Sequence, residues 1–361
     1  MKNVVIIFGG KSAEHEVSLK SATNIFNTID RTIFRPVLVG IDKNGNWNYS
    51  EHYQKKESID LVNNDFFSES VNVYISNFAK QAEIINKATH VVSDCIDIAF
   101  PIIHGTFGED GTLQGFLKTM NIPFVGCDIL ASSVGMDKEV TKRLLRDANI
   151  PISKFYTLYR HLPSQFSFEE VVSKLKLPLF IKPANAGSSV GVSKVTNKDE
   201  YETALSEAFK FDNKILIEEA IIGKEVECAI LGNEQVKASV VGEIVPTKDF
   251  YSYDAKYISS DGAKLKIPAD IDEVTSEQIR EYAIKGFKTI CGEGMARVDF
   301  FLRPDNAFVL NEINTLPGFT EISMYPKLWE YTGIPYKDLI TELINLALQK
   351  HKKDSKLLKK I

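Results

Sequence analysis

At 361 residues, the chain is long enough for two or three domains and a sizeable core. A net charge of −5 gives no electrostatic reason to expect nucleic acid, and no apolar stretch approaches the length that crosses a membrane. Apolar, aromatic and charged fractions are ordinary for a soluble globular protein, with no internal repeat or low-complexity segment.

In chain order, Val4–Phe8 is a continuous apolar run, as expected of a strand buried on both faces. Gly9-Gly10 ends it without a small-residue cleavage site, so the start reads as a strand and not a signal peptide. Ser12 is placed to cap a helix whose apolar positions are Val17, Leu19, Ala22, Ile25, Phe26 and Ile29. Pro36–Ile41 is a second, parallel strand of this βα unit, and Asp42–Gly45 turns into Asn46–Tyr49. Residues 50–93 read as polar and irregular, apart from a short strand at Val71–Ile75, and show no chemistry. Ile96–Ile103 is another buried strand. It brings His104 and the Gly-rich loop His104–Gly115 to the same carboxyl edge as Gly9, where open α/β folds bind ligands. Ile122–Val125 closes the first domain near residue 125.

The second unit has a helix at Asp137–Ala148, strands at Phe155–Tyr159, Leu179–Lys182, Gly191–Val195 and Ile215–Glu218, and a helix at Asp199–Lys210. The third has strands Glu225–Leu231 and Val236–Ile244, a long loop, helices Ser276–Cys291 and Tyr336–Gln349, and a hairpin between those helices. The basic run Lys350–Lys360 reads as a solvated end. Cys95, Cys127, Cys228 and Cys291 are far apart in apolar contexts, with no CxxC, and read as reduced core residues of a cytosolic protein.

The hairpin carries the clearest chemistry. Arg297–Leu302 and Ala307–Glu312 flank turn residues 303–306, which sets residue 299 roughly opposite 310–312. Alternation puts Arg297 and Asp299 on one face, and Glu312 with Asn314. Two carboxylates and an amide oxygen then converge as hard ligands of the kind Mg²⁺ takes. Surface acids with a turn Asn are the plain alternative, but acids brought together in an apolar hairpin favour a cation.

Other signals leave more open. Gly10-Lys11-Ser12 imitates the end of a phosphate-binding loop, but Val5 stands where that pattern needs Gly. No GxGxxG is present, which weighs against a nicotinamide dehydrogenase. Glu14 is either a helix-dipole acid or a site residue. Lys138 opposes the dipole of its own helix, which suggests an anion nearby. Lys182 closes an apolar strand before the loop Ala184–Gly191, which is either a phosphate cradle or a surface turn. Glu218 and Glu225 are strand-end acids that could meet an amine or ribose hydroxyls. Segment Asp249–Pro268, with Lys256 and Tyr257, is a lid or a hairpin arm.

Together and in this order, FGGKSAEHEVSL (8–19), HGTFGEDGTLQG (104–115), MDK (136–138), KPANAGSSVGVSKV (182–195), FYSYDAKY (250–257), RVD (297–299) and NEINTLPGFTEISMYP (311–326) resemble the D-alanine–D-alanine ligases of the ATP-grasp superfamily. The resemblance runs from Val4 to about Leu348 and leaves out the polar residues 50–93. It implies an α/β chain of three domains. These are an N-terminal open parallel-sheet substrate domain (1–125), a central ATP-grasp subdomain (126–217), and a C-terminal one (218–361) holding lid loop 249–268 and the metal site. ATP would lie between the last two, which have α+β character.

The resemblance also implies roles. Lys138, Lys182, Lys256 and the Ser188-Ser189-Val190 loop would contact phosphates. Adenine would meet Glu218, Glu219, Ala220 and Ile221, and Glu225 the ribose, with Asn311 and Glu312 completing the nucleotide site. Asp299, Glu312 and Asn314 would hold Mg²⁺ or Mn²⁺, as a pair of ions. Glu14 would take the ammonium of the first D-alanine and join Ser188 and Tyr257 in holding the lid shut, with His104 lining that side. Arg297 and the Gly318 amide would stabilise the oxyanion, and Ser323 would bind the second carboxylate. Some relatives making D-Ala–D-lactate or D-Ala–D-Ser carry Arg where this chain has Met324, and the lactate makers lack the tyrosine found here as Tyr257. Both positions favour D-alanine. The family setting is peptidoglycan precursor synthesis by a cytoplasmic homodimer. The alternatives are a D-Ser or D-lactate variant, another ATP-grasp carboxylate–amine ligase, or a silent nucleotide-binding protein.

Overall fold

The computed structural model describes residues 1–77, 81–162, 166–246 and 263–357. Strands β1 (Lys2–Gly9), β2 (Phe34–Ile41), β3 (Trp47–Tyr49), β4 (Val71–Ser76), β5 (Ala82–Asn86), β6 (Val92–Ile96) and β7 (Ile98–Pro101) form a sheet in the order β6-β5-β4-β3-β2-β1-β7. β1 pairs in parallel with β2 and β7, while β3 to β6 add antiparallel strands. Successive residues of β1 feed opposite faces. Val4, Ile6 and Phe8 enter one core with the helix His15–Thr28, and Val5 and Ile7 enter another. At the end of β1 the chain must turn sharply. Gly9 has φ +87°, and a Cβ there would sit 2.2 Å from the Ile41 carbonyl oxygen.

Residues 50–93 differ from expectation. They hold a short helix (Glu51–Gln54) and β4 to β6, and bury Tyr53, Leu61 and Phe66 in the first core. Apolar anchors spaced irregularly in a polar segment hide this in the sequence. The run Ile96–Ile103 is likewise two strands, β6 turning at Asp97 into β7.

The second sheet joins β8 (Phe155–Tyr159), β9 (Leu179–Pro183), β10 (Ser193–Val195) and β11 (Lys214–Glu219) in the antiparallel order β10-β9-β11-β8. Helices Phe168–Leu175 and Lys198–Ala208 cover it. The third sheet, β14-β13-β12-β15-β16, comprises β12 (Lys224–Gly232), β13 (Lys237–Pro246), β14 (Ala263–Lys266), β15 (Gly294–Leu302) and β16 (Phe308–Asn314). β14 corrects the end of the expected lid loop, since 263–266 pair with β13. Residues 247–262, with Lys256 and Tyr257, lie outside the described residues.

The first core also takes in Phe319, Trp329 and the helix Tyr336–Asp354, so the first and third sheets share one packed body. Lys350, expected in a solvated tail, is buried there. Its Nζ donates to the Gly126 carbonyl at 2.8 Å and lies 4.5 Å from the Phe124 ring centre. The four cysteines are free, with Cys127 and Cys228 in the core as expected, Cys95 half-buried and Cys291 exposed.

Candidate active site

Glu14 sits at the turn after β1. It occupies the cap position of the helix His15–Thr28, where Ser12 was expected. Ser12 Oγ instead accepts from the Glu14 N–H at 3.1 Å. The Glu14 carboxylate makes no cap bond, because it turns away from the helix to accept from Ser188 Oγ. Gly105 leaves it room, since a Cβ there would come within 2.8 Å of Glu14 Oε2. Ser188 and Ser189 both have positive φ, 54° and 61°. Side-chain-bearing residues pay roughly 1–2 kcal/mol each for that conformation, so the loop stores strain beside Glu14.

His104 is buried below Glu14. Its Nδ1 is 3.5 Å from Glu109, and its Nε2 is 3.1 Å from Ser21 Oγ. Burial disfavours its charged form, but Glu109, then Glu14, outweigh burial and raise its pKa. Burial, aided by Glu14, likewise raises the Glu109 carboxyl against the pull of His104. Ser21 Oγ also accepts from the Phe319 N–H at 3.3 Å, which ties this wall to the segment after β16.

The hairpin forms as read. Asp299 pairs across with Glu312, and Arg297 with Asn314. Alternation alone would not give this face, because Leu310 is a core residue and Glu312 lies two further on. A register shift between Asp299 and Phe300 makes Asn311 an extra residue in β16. The bulge lets Leu310 and Ile313 both enter the core while Glu312 faces outward with Asp299. Arg297 Nε and a terminal nitrogen donate to both Asp299 oxygens at 2.8 and 2.7 Å, and Nε lies 3.0 Å from Glu227 Oε2. Burial works against the guanidinium, but Asp299 and Glu227 hold its pKa well above the ordinary value. Glu227, directly across β12 from Asp299, is an acid the sequence reading missed. Its signal was the polar break between Val226 and Cys228.

Opposite the hairpin, Lys138 is the first residue of the helix Lys138–Asp147. Its Nζ donates to the Ala186 carbonyl at 2.6 Å and lies 4.0 Å from Glu312. Burial lowers its pKa, with Glu312 opposing and Lys182 assisting. Lys182, on β9, lies 3.0 Å from Glu218 Oε1. The Glu218 side chain therefore points into a buried ion cluster that also holds Lys142. Glu219 accepts from the Lys154 N–H at 2.7 Å, and Ala220 N–H donates to the Pro178 carbonyl at 3.3 Å.

One cavity of about 760 Å³ unites much of this. Its walls include Glu14, His104, Lys138, Ser188, Arg297, Glu312, Asn314, Gly318, Ser323 and Met324. Lys182, Ser189, Val190, Glu218 to Ile221, Glu225, Asp299 and Asn311 are not on its walls. Ser323 Oγ accepts from the Thr320 N–H at 2.9 Å, and a Cβ on Gly318 would approach that Oγ to 2.8 Å. Glu109, Asp60, Val62 and Asn63 also line the cavity. The last three come from the segment that showed no chemistry in the sequence.

Among the described residues, no group of three or more His, Cys, Asp or Glu side chains is arranged to hold a metal ion. The hairpin set is different in kind, with two carboxylates and an amide. Asp299 and Glu312 are cross-strand partners, and a carboxylate oxygen keeps a second lone pair when it accepts from Arg. These hard oxygen donors fit Mg²⁺ or Mn²⁺, while Arg297 offsets part of the carboxylate charge.

Comparison with known proteins identifies the family. The family model described as D-ala D-ala ligase N-terminus matches residues 3–127, and the D-ala D-ala ligase C-terminus model matches 144–345. The first match includes residues 50–93, which the sequence resemblance left out. D-alanine–D-alanine ligase A of Escherichia coli (strain K12) is 53% identical over 98% of each chain. The D-alanine–D-alanine ligase of Oceanobacillus iheyensis is 50% identical, covering 99% of this chain and 98% of its own. Among solved structures, the D-alanine-D-alanine ligase from Coxiella burnetii has a TM-score of 0.85 at 37% identity, covering 98% of this chain and 96% of that one. The VanG D-Ala:D-Ser ligase from Enterococcus faecalis has the same TM-score at 36% identity, covering 96% and 99%. With family models over both parts of its length and relatives at half identity end to end, this chain belongs to the D-alanine–D-alanine ligase family.

Proposed function

We propose that this protein joins two D-alanines into D-alanyl-D-alanine at the expense of ATP, for peptidoglycan precursor synthesis. The observation that carries the reading is a single cavity lined by the Glu14–Ser188 pair, by Lys138 and by the hairpin residues Arg297 and Glu312. A carboxylate oxygen is a poor leaving group, so the first D-alanine is activated. Its carboxylate takes the γ-phosphoryl group, giving D-alanyl phosphate and ADP. The amine of the second D-alanine attacks the carbonyl carbon. The tetrahedral oxyanion then collapses, expelling phosphate while the amine loses its proton.

Glu14 holds the first ammonium, and His104 lines that side. Lys138, Lys182, Lys256 and the 188–190 loop attract the phosphates, Glu218 to Ile221 border adenine, Glu225 meets the ribose, and Asn311 completes the site. Arg297 and the Gly318 N–H stabilise the oxyanion, and Ser323 takes the second carboxylate. Mg²⁺ or Mn²⁺, as a pair of ions at Asp299, Glu312 and Asn314, would offset the phosphate charge. Tyr257 closes with Ser188 and Glu14 over the acyl phosphate, excluding water. The three sheets support a division into 1–125, 126–217 and 218–361, with β11 of the second sheet running on to Glu219. The enzyme works in the cytoplasm as a homodimer, and no described helix is long and apolar enough to cross a membrane.

The test is phosphate release with D-alanine, with L-alanine, and with neither. Release with D-alanine alone is expected, and equal signals in all three would overturn the reading. The VanG match keeps D-serine in view for the second site, because the TM-scores of the two solved relatives do not discriminate. Met324, buried on the cavity wall, supports D-alanine. Mass spectrometry of products from competing D-alanine, D-serine and D-lactate separates these outcomes.

A further inference from the structure

We propose that Lys142 is a positioning residue for nucleotide binding. By offsetting Glu218, it leaves Lys182 with an uncompensated positive charge for the triphosphate. The inference rests on the reading above, in which Lys182 faces phosphate.

Lys142 follows Lys138 by one helical turn, so both project from the same side of the helix. Lys138 reaches the cavity, while Lys142 is wholly buried beneath it. A buried ammonium is costly unless it is paired and hydrogen-bonded, and Lys142 is both. Its Nζ is 3.3 Å from Glu218 Oε2 and donates to Ser153 Oγ at 2.9 Å. Ser153 Oγ in turn donates to the same Glu218 oxygen at 3.1 Å. The other oxygen, Oε1, is 3.0 Å from Lys182 Nζ. Two ammonium groups thus share one carboxylate and leave one positive charge over. Without Lys142, Lys182 and Glu218 would form a neutral pair, with little attraction for an anion.

The groups around Lys142 support this. Burial pushes its pKa down to about 8, with Lys182 acting in the same direction and Glu218 and Glu312 opposing. Glu218 stays ionised, because Lys142 and Lys182 overcome the effect of its burial and hold its carboxyl below the ordinary value. The surplus charge should therefore fade as pH rises through about 8.

The test is equilibrium binding of Mg²⁺ with a non-hydrolysable ATP analogue, and of adenosine, to the full-length protein near pH 7. Lys142→Met should weaken the analogue about tenfold or more, as expected for loss of one charge in a poorly solvated site, while leaving adenosine within about twofold. Lys142→Arg should bind the analogue like wild type, and Lys142→Met/Glu218→Gln should recover most of the loss relative to adenosine. Equal losses for both ligands, no loss, or no recovery in the double variant would overturn the proposal. Lys182→Met is the control. Undiminished analogue binding there would sink the phosphate reading itself, whereas a loss there without one in Lys142→Met would sink only the role of Lys142. If Lys142→Met does not fold, wild type is compared with Lys142→Arg between pH 7 and 9. A steeper loss of analogue affinity in wild type is expected, and parallel curves would overturn the proposal.

Discussion

Glu312 lines the site cavity. It is a partly exposed side chain on the outer face of the hairpin, 4.0 Å from the Lys138 ammonium. Glu312→Ala is expected to lower phosphate release by at least roughly 10²–10³-fold, the scale for removing a group aimed at developing charge. Its melting temperature should stay near wild type, and near-normal turnover would refute the metal assignment. His104 offers a prediction about pH. Its pKa in the fold is raised above the ordinary 6.5 because Glu109 and Glu14 outweigh burial. The stability it contributes is therefore present below about 6.5 and lost as pH rises through the folded value. Glu109→Gln should lower the imidazole midpoint, read by NMR titration, and flatten that part of the stability profile. An unchanged midpoint would show that Glu109 does not hold the proton on His104. Asp299 and Arg297 were legible in the sequence because alternation along one strand sets them on one face, and Glu312 because the hairpin turn brings it roughly opposite them. Glu227 and Lys142 were not, because their charged partners, Arg297 and Glu218, come from distant segments.

At the scale of elements, the turn after β1 aims Glu14. Gly9→Ala would meet both a left-handed backbone and a Cβ placed 2.2 Å from the Ile41 carbonyl oxygen. A loss of at least about 1–3 kcal/mol is expected from backbone strain alone, measurable by denaturant titration, and an unchanged midpoint would mean that the turn can relax. The bulge at Asn311 is the converse lesson. Leu310-Asn311-Glu312-Ile313 looks like a strand of strict alternation, which would send Glu312 inward. Only pairing against β15, with Phe300 and Val298 already committed to the core, forces the extra residue out. The short helices Thr112–Thr119, Ile129–Met136 and Met324–Tyr331 were not readable either. Each is about two turns long, too short for hydrophobic periodicity to stand out from its flanks.

Across the whole molecule, the first and third sheets are joined through a common core, and Lys350 pins that joint from the C-terminal helix. Lys350→Met keeps most of the volume but strands the Gly126 carbonyl, at a cost of about 1–3 kcal/mol. The expected readout is a lower unfolding midpoint, with the ATP-analogue affinity preserved because the site lies elsewhere. A midpoint equal to wild type would mean that solvent or repacking satisfies that carbonyl. By itself, the sequence determined the family, the order of strands carrying the motifs, and the face shared by Arg297 and Asp299. Those depend on local patterning and on residue types whose chemistry is independent of context. The tertiary structure decided that Asp60, Val62 and Asn63 reach the cavity, that Glu218 points into a lysine cluster, and that a basic tail residue is buried. Each depends on which distant surface packs opposite, and burial and charge pairing are properties of the pair, not of either residue's neighbours along the chain.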